Sequence, residues 1–473
     1  MSPAIKQPDK KRPPVYFSLA GLIIFILILS ALELAARVAD SRIHFYDKVL
    51  EVLEWIDLKT QPITHEAELP WPPRSIYIRA PEPADIKQEP YKVGGRTIPG
   101  AYKTLKKKLI YPQDLNNDTR QRIFIIGGSA AFGFPYRYEY SLGHALQELL
   151  GDDDYHVINA AQISHTSGHL TPIVRRIVDN YKPHLIIIFT GNNEWTRWIP
   201  QPMSWGMIVT VRTFKSLSTS RFLAWVLYHS FKNRSMHNKK IYAANHHFTI
   251  QKEIEGLDYA LDNPFEKFYT TNKQQLISSK QQFIKAFRQN LHQMITYARD
   301  NNVRVILMTV PFNYKLSIAF MHPQPLYYTT TNKNRVQENI KLILRHIDRA
   351  EYKQAYKLIQ QTLNLEPHIP LLFYLKGSVL EKTGQHSEAE KAYALSRENM
   401  IGHLGARLSI NEAIRSIADS QNVELIDLKK LFDNWEHSHG GFYNSRLIPD
   451  DCHPSPQGQR LIAEALHQNI TNK

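Results

Sequence analysis

Near the end of the chain stands Asp450-Asp451-Cys452-His453-Pro454-Ser455-Pro456-Gln457-Gly458. An Asp three residues before a His can hold the imidazole in one tautomer and stabilise it once protonated, which is the orienting half of a Ser-His-Asp device. Far upstream, Arg122-Ile123-Phe124-Ile125-Ile126-Gly127-Gly128-Ser129-Ala130-Ala131-Phe132-Gly133 closes an apolar run with two glycines and a serine. Together the two segments suggest nucleophilic acyl chemistry, with a serine hydroxyl attacking a carbonyl and an imidazole taking its proton. No Gly-Lys-Ser/Thr follows, so Ser129 does not sit in a phosphate loop. Ala131 occupies the place where a Gly-x-Ser-x-Gly elbow needs its second glycine. The remaining alternative is that Gly-Gly-Ser is only a turn.

Two further segments could complete such a site. Phe189-Thr190-Gly191-Asn192-Asn193-Glu194 ends an apolar run with an Asn pair. An Asn at a strand end can aim its side-chain N–H at a developing oxyanion, or can merely form a turn. The stretch Val157-Ile158-Asn159-Ala160-Ala161-Gln162-Ile163-Ser164-His165-Thr166 could supply a backbone N–H to the same hole.

The elements that must position these residues alternate in type. Strands are expected at Ile123–Ile126, His156–Asn159, Leu185–Thr190, Val303–Val310 and Val423–Leu428. Helices are expected at Tyr140–Leu150, Leu170–Asn180, Gln274–Asp300, Ile410–Ser420 and Gln457–His467. Short unbroken apolar strands between amphipathic helices predict a parallel sheet covered on both faces, a doubly wound α/β sandwich. Ser129, Asn193 and the Ser164 stretch then fall at strand ends, the edge where open α/β sheets bind ligands.

This set resembles the SGNH (GDSL-like) hydrolase family. Gly128-Ser129 with Gly133 is similar to the family's first block, with Gly128 where many members carry Asp or Glu. Gly191-Asn192-Asn193-Glu194 is similar to its Gly-x-Asn-Asp/Glu block, and Asp450-x-x-His453 with Pro454 and Gly458 to its last. The resemblance implies a flavodoxin-like three-layer α/β/α sandwich. It also implies Ser129 as nucleophile, His453 as base, Asp450 as its orienting partner and Asn193 as oxyanion donor, beside the backbone N–H groups of Ser129 and Ser164. No cofactor and no metal are implied. Ser164 departs from the pattern, because the family usually has Gly there; the backbone N–H is retained, while side-chain bulk could narrow the site.

Two stretches interrupt the alternation. Residues 201–272 are aromatic and basic with no clean period; the run Arg212, Lys215, Arg221, Lys232, Arg234, Lys239, Lys240 could rest on anionic headgroups or be a solvated face. Residues 336–400 are helical and repeat with a period of about 34, pairing Ala355 with Ala389 and Ile359 with Tyr393, which resembles tetratricopeptide repeats. An ordinary helical hairpin insertion is the alternative. Two such units cannot bury both ends of a solenoid, so one face is expected to dock on the α/β core or on a protein partner. Deleting residues 336–400 is expected to spare small-ester hydrolysis.

The net charge of +14 suits anionic membranes or glycans, and no nucleic-acid-binding motif is present. A single cysteine, Cys452, excludes an internal disulfide. Val15–Ala36 is long and apolar enough to span a bilayer, and Lys6, Lys10, Lys11 and Arg12 precede it, which predicts a cytoplasmic N-terminus and an exported bulk, periplasmic or extracellular. A cleaved signal peptide and a buried soluble helix are the alternatives. The expected order is therefore a tail (1–14), a transmembrane helix (15–36), a linker and extended cap (37–118), core segments (119–200, 273–335, 401–473), and the two insertions (201–272, 336–400).

Other candidates carry bland readings. His437-Ser438-His439 lacks a third ligand at metal spacing and reads as a solvated loop. Asp451 could replace Asp450 as the orienter of His453, but the i−3 spacing favours Asp450 and leaves Asp451 solvated or locally packed. Cys452 is expected to be a small buried residue rather than a second nucleophile. Trp195, Arg197 and Trp198 could line a pocket or pack the insertion. The expected function is a membrane-anchored serine esterase or O-acyl (most simply O-acetyl) transferase acting on an acylated glycan or lipid. The alternative is a non-catalytic scaffold of an envelope polysaccharide or secretion assembly.

Overall fold

The computed structural model describes residues 28–39, 77–79, 90–93, 96–102, 108–110, 118–194, 273–315, 332–400 and 405–472. The chain divides into two units, residues 1–60 with 202–244 and residues 61–201 with 245–473. In the first unit, residues 28–39 are helical and expose Ile28, Leu29, Leu32, Leu34 and Val38. Among the described residues no helix is long and apolar enough to cross a membrane. Most of the span expected at Val15–Ala36, the basic run and Trp195, Arg197 and Trp198 lie outside the described residues.

The second unit begins with two short antiparallel pairs, β1 (Tyr77–Arg79) with β4 (Lys108–Ile110) and β2 (Pro90–Val93) with β3 (Arg96–Tyr102). The main sheet follows: β5 (Gln121–Gly127), β6 (Tyr155–Asn159), β7 (Leu185–Phe189), β8 (Arg304–Met308) and β9 (Glu424–Ile426), in the order β6-β5-β7-β8-β9. All four pairings are parallel, with Gly127 opposite Phe189 and Ile125 opposite Asn159. This is the flavodoxin-like order, in which the connection reverses direction between β5 and β7 and opens a crevice at their carboxyl ends. The central strand β7 is Leu-Ile-Ile-Ile-Phe, buried throughout. Each such side chain contributes about 1.5–3 kcal/mol by leaving water.

Helices cover both faces. On one, α3 (Ser167–Tyr181), α4 (Lys273–Asp300) and α9 (Leu408–Ser420) pack side by side; on the other, α2 (Leu142–Leu150) packs on α11 (Pro456–Thr471). A four-residue helix, α1 (Ser129–Phe132), follows β5. Helix α10 (Leu428–Ser438) follows β9 directly. The expected strands and helices all form, with ends shifted by a few residues.

Between β8 and α9 run α5 (Lys333–Asp348), α6 (Tyr352–Leu365), α7 (Pro370–Lys382) and α8 (His386–Asn399), each packed on the next. The first three share a core of their own, with Val336, Ile340, Ala355, Ile359 and Leu372. Helix α8 instead places Ala389, Ala392, Tyr393 and Ala394 in the main core. The small residues mark close crossings: a Cβ at Gly377 would stand 2.7 Å from the Tyr393 ring. Lys280 of α4 meets Glu398 at 2.6 Å, and Ser409 N–H donates to the same carboxylate at 3.2 Å.

Candidate active site

The site stands at the carboxyl ends of β5 and β7, and each sequence block has a local reason to be there. Gly127 has no room for a Cβ, which would run into the Phe189 carbonyl. The chain can therefore close tightly against β7 before turning into α1. At the far end Gly133 takes a left-handed φ of 83°. Asn159, at the end of β6, donates to the Ala131 carbonyl at 3.0 Å, and Gln459 of α11 donates to the Ala130 carbonyl at 3.0 Å. These bonds fix the turn that carries Ser129.

The histidine block folds on itself. The Asp450 Oδ1 accepts from the Cys452 and His453 N–H groups at 3.0 and 2.8 Å, leaving Oδ2 to take the His453 Nδ1–H at 2.7 Å. The same carboxylate thus shapes the loop and orients the ring. Ser455 then caps α11, accepting from the Gly458 N–H at 3.2 Å, with Pro456 at the first helical position. Gly458 allows that helix to approach Leu447, whose carbonyl would lie 2.8 Å from a Cβ.

Ser129 Oγ and His453 Nε2 lie 2.8 Å apart. Ser129, His453 and Asp450 form one hydrogen-bonded series, and all are buried. Phe134 meets the His453 ring edge-on at 5.1 Å. Burial disfavours the imidazolium, but the neighbouring Cys452 and Asp450 side chains outweigh it and hold His453 well above the ordinary imidazole range. Burial also pushes the Cys452 thiol up. The thiol sits 3.9 Å from either ring nitrogen and acts as a small buried group.

Asn193 Nδ2 donates to the His165 carbonyl at 2.9 Å. It lies only 2.6 Å from where a Cβ on Gly128 would be, so the bare backbone before Ser129 is what lets the amide settle there. His165 follows Ser164, whose φ of 68° is left-handed and whose side chain is exposed. A glycine would hold that conformation without the cost a Cβ brings. Among the described residues neither the Ser129 nor the Ser164 N–H donates a hydrogen bond. The structure thus sets the Asn193 amide and the His165 carbonyl against Gly128, the residue before Ser129. The site can activate a hydroxyl and receive negative charge on an oxygen beside it.

Sequence reasoning missed two supports beside Asn193. Asn192 accepts the Ala406 N–H on its side chain at 2.9 Å and the Gly405 N–H on its carbonyl at 2.8 Å, and its amide reaches the Cys452 carbonyl at 3.4 Å. Glu194 accepts from the Ser167 N–H at 2.6 Å and its hydroxyl at 3.0 Å, placing a carboxylate at the start of α3 where the helix dipole favours it. Only their place in the Asn193 block could have flagged them. Of the bland candidates, His437 pairs with Glu390 at 2.9 Å and His439 stacks on Trp435 at 4.0 Å. Asp451 corrects its expectation: it pairs with the buried Arg397.

No protein-family model matches the chain, and no curated protein matches it. Among solved structures it is similar to a GDSL-like lipase from Bacteroides thetaiotaomicron, at 10% identity and a TM-score of 0.32, over 76% of this chain and 92% of that one. It is similar to the psychrotrophic esterase EstA from a Pseudoalteromonas species at 11% and 0.31, over 74% and 97% of the two chains. A lipase/acylhydrolase from Enterococcus faecalis stands at 12% and 0.31, over 74% and 96%. Likenesses this low carry no functional weight, and what the site can do follows from its own geometry.

Proposed function

We propose that the chain is an SGNH-type serine ester hydrolase or O-acyl (most simply O-acetyl) transferase. The observation that carries this reading is the unbroken series Asp450–His453–Ser129, with Ser129 Oγ 2.8 Å from His453 Nε2. Ser129 Oγ attacks the acyl carbonyl while His453 Nε2 takes its proton and Asp450 stabilises the imidazolium. The oxyanion is received by the Ser129 and Ser164 N–H groups and the Asn193 amide. His453 returns the proton to the leaving alcohol, and the acyl group stays on Ser129. Water or an acceptor hydroxyl, deprotonated by His453, then attacks the acyl carbonyl, and His453 returns the proton to Ser129 Oγ as the acyl group leaves. Hydrolysis and transfer therefore differ only in the acceptor.

The substrate in this reading is an acylated glycan or lipid on the exported side of a membrane. Support comes from the apolar Val15–Ala36 segment behind a basic flank, and from the chain's positive charge. The tetratricopeptide-like helices of residues 336–400 offer a surface for a protein partner. A purely scaffolding role would give no reason for an ordered Ser-His-Asp series. Fluorophosphonate labelling tests the chemistry. Wild-type protein should label, and Ser129→Ala should abolish labelling and nearly all turnover. His453→Ala should do about the same, since nucleophile and base act as a unit. Wild-type protein that folds yet never labels would favour the scaffold. Acetylated glycans, lysophospholipids and short-chain nitrophenyl esters then sort the substrate, and an exported C-terminal reporter fusion checks the topology.

A further inference from the structure

The α/β sandwich does not hold the His453 loop alone. In the last turn of α8, Arg397 is 2% exposed. Its Nη2 donates to the Asp451 carboxylate and to the Asn313 carbonyl at 2.7 Å, and reaches the Asp451 carbonyl at 3.4 Å. The guanidinium lies 4.9 Å over the Phe312 ring. Gly405, with a φ of 97°, leaves the space: a Cβ there would run into Arg397 Nη1 and lie 3.0 Å from Asp451 Oδ1. Asp451 stands directly between Asp450, which orients the imidazole, and Cys452. The Asn313 N–H donates to the Asp451 carbonyl at 3.3 Å, and Asn192 reaches the Cys452 carbonyl.

Each residue of the loop therefore has a different anchor. Asp450 binds the loop itself, Cys452 is tied to the Asn193 block, and Asp451 is tied to the helical segment. Arg397 Nη2 meets one oxygen of the Asp451 carboxylate and the Asn313 carbonyl together, so one buried, charge-assisted donor ties the loop to the segment that follows β8. Removing one partner strands the other charge in the interior, and the backbone must shift to relieve it. The backbone that would shift carries His453.

We infer that Arg397 is a positioning residue for His453, so that helix α8 belongs to the catalytic apparatus and is not a detachable binding module. The kinetic consequence rests on the hydrolase reading; the geometric one does not. Removing residues 336–400 would take Arg397 with it and should therefore cost activity, contrary to the expectation from sequence.

The test uses the full chain with Arg397→Gln, Arg397→Lys, Asp451→Asn and the Arg397→Gln/Asp451→Asn double variant. Arg397→Gln and Asp451→Asn should each lower kcat on nitrophenyl acetate, and the rate of fluorophosphonate labelling, by about 10- to 100-fold, the scale of a small misplacement of a catalytic group. KM should stay within about twofold, since ground-state binding is untouched. The double variant should lose no more than either single one, because both act through one pair. Arg397→Lys keeps the charge on a shorter side chain and should recover part of the loss. The far-downfield Nδ1–H proton resonance of His453 should be sharp in wild type and broadened or lost in Arg397→Gln and Asp451→Asn. Should Arg397→Gln fail to fold, Asp451→Asn, which preserves side-chain volume, decides. Folded variants with wild-type kcat and an unchanged resonance would overturn the inference. If wild-type protein never labels, the hydrolase reading falls, and the resonance alone still decides the role of Arg397.

Discussion

The two loops that meet over Ser129 are built on opposite plans. Around the imidazole, the loop carrying His453 answers its own polar groups: Asp450 accepts two N–H groups and the ring, and Ser455 caps the helix that follows, while Arg397 and Asn192 hold only the intervening Asp451 and Cys452 from outside. The loop carrying Ser164 is held from outside. Asn193 takes the His165 carbonyl and Glu194 takes the start of α3, while Ser164 sits at a φ of 68°. A loop whose shape comes from its own side chains can be written in a few consecutive residues. A loop braced by another strand end needs two segments to agree, and it can keep a strained residue only because the brace holds it.

The largest effect should come from breaking the Asp450–His453 pair. Activity needs neutral His453, and the Cys452 and Asp450 side chains hold that ring above the ordinary value of 6.5, so kcat/KM should rise with pH through a midpoint above it. Asp450→Asn should move the midpoint down and lower the plateau by about 10³- to 10⁴-fold, still milder than loss of Ser129 or His453. A midpoint unmoved in this variant would mean that Asp450 does not charge-stabilise the ring. Next is the brace of the other loop: Asn193→Ala should cost about 100- to 1,000-fold in kcat with KM little changed. Glu194→Gln keeps the shape but not the charge at the start of α3, and should lower stability in urea by about 1–2 kcal/mol. Smallest is Ser164. Ser164→Ala should leave kcat at the wild-type level, and Ser164→Gly should raise stability by about 1 kcal/mol. Equal stability of Ser164→Gly and wild type would mean that the residue is not held left-handed in solution.

What could be read from the sequence follows the same division. Strands such as Leu185–Phe189 are unbroken apolar runs, and Asp450-x-x-His453-Pro454-Ser455-Pro456 writes its orienter, ligand geometry and helix start within one short segment. Ser164 stood out because a glycine was expected there, and its backbone gives the reason. The bracing roles of Asn192, Glu194 and Arg397 could not be read locally, since their partners Ala406, Ser167 and Asp451 lie 214, 27 and 54 residues away. The 34-residue period told of close helix crossings at Ala355 and Ala389, both fully buried. It could not tell that α5, α6 and α7 would share one core while α8 joined another. Helix α10 escapes sequence reading because Leu428 ends the expected strand and His437-Ser438-His439 reads as a solvated loop, whereas the helix runs from Leu428 to Ser438.

The strong hold of the folded protein on the His453 proton also bears on how long the molecule lasts. An imidazole that binds its proton more tightly when folded than when unfolded stabilises the fold fully below about pH 6.5, and that contribution fades as pH rises through the folded value. The proton that His453 must shed to work is therefore one that helps keep the chain folded. From this group alone, shelf life should be greatest on the slightly acidic side, where the protein is nearly idle, and working at higher pH should shorten its useful lifetime.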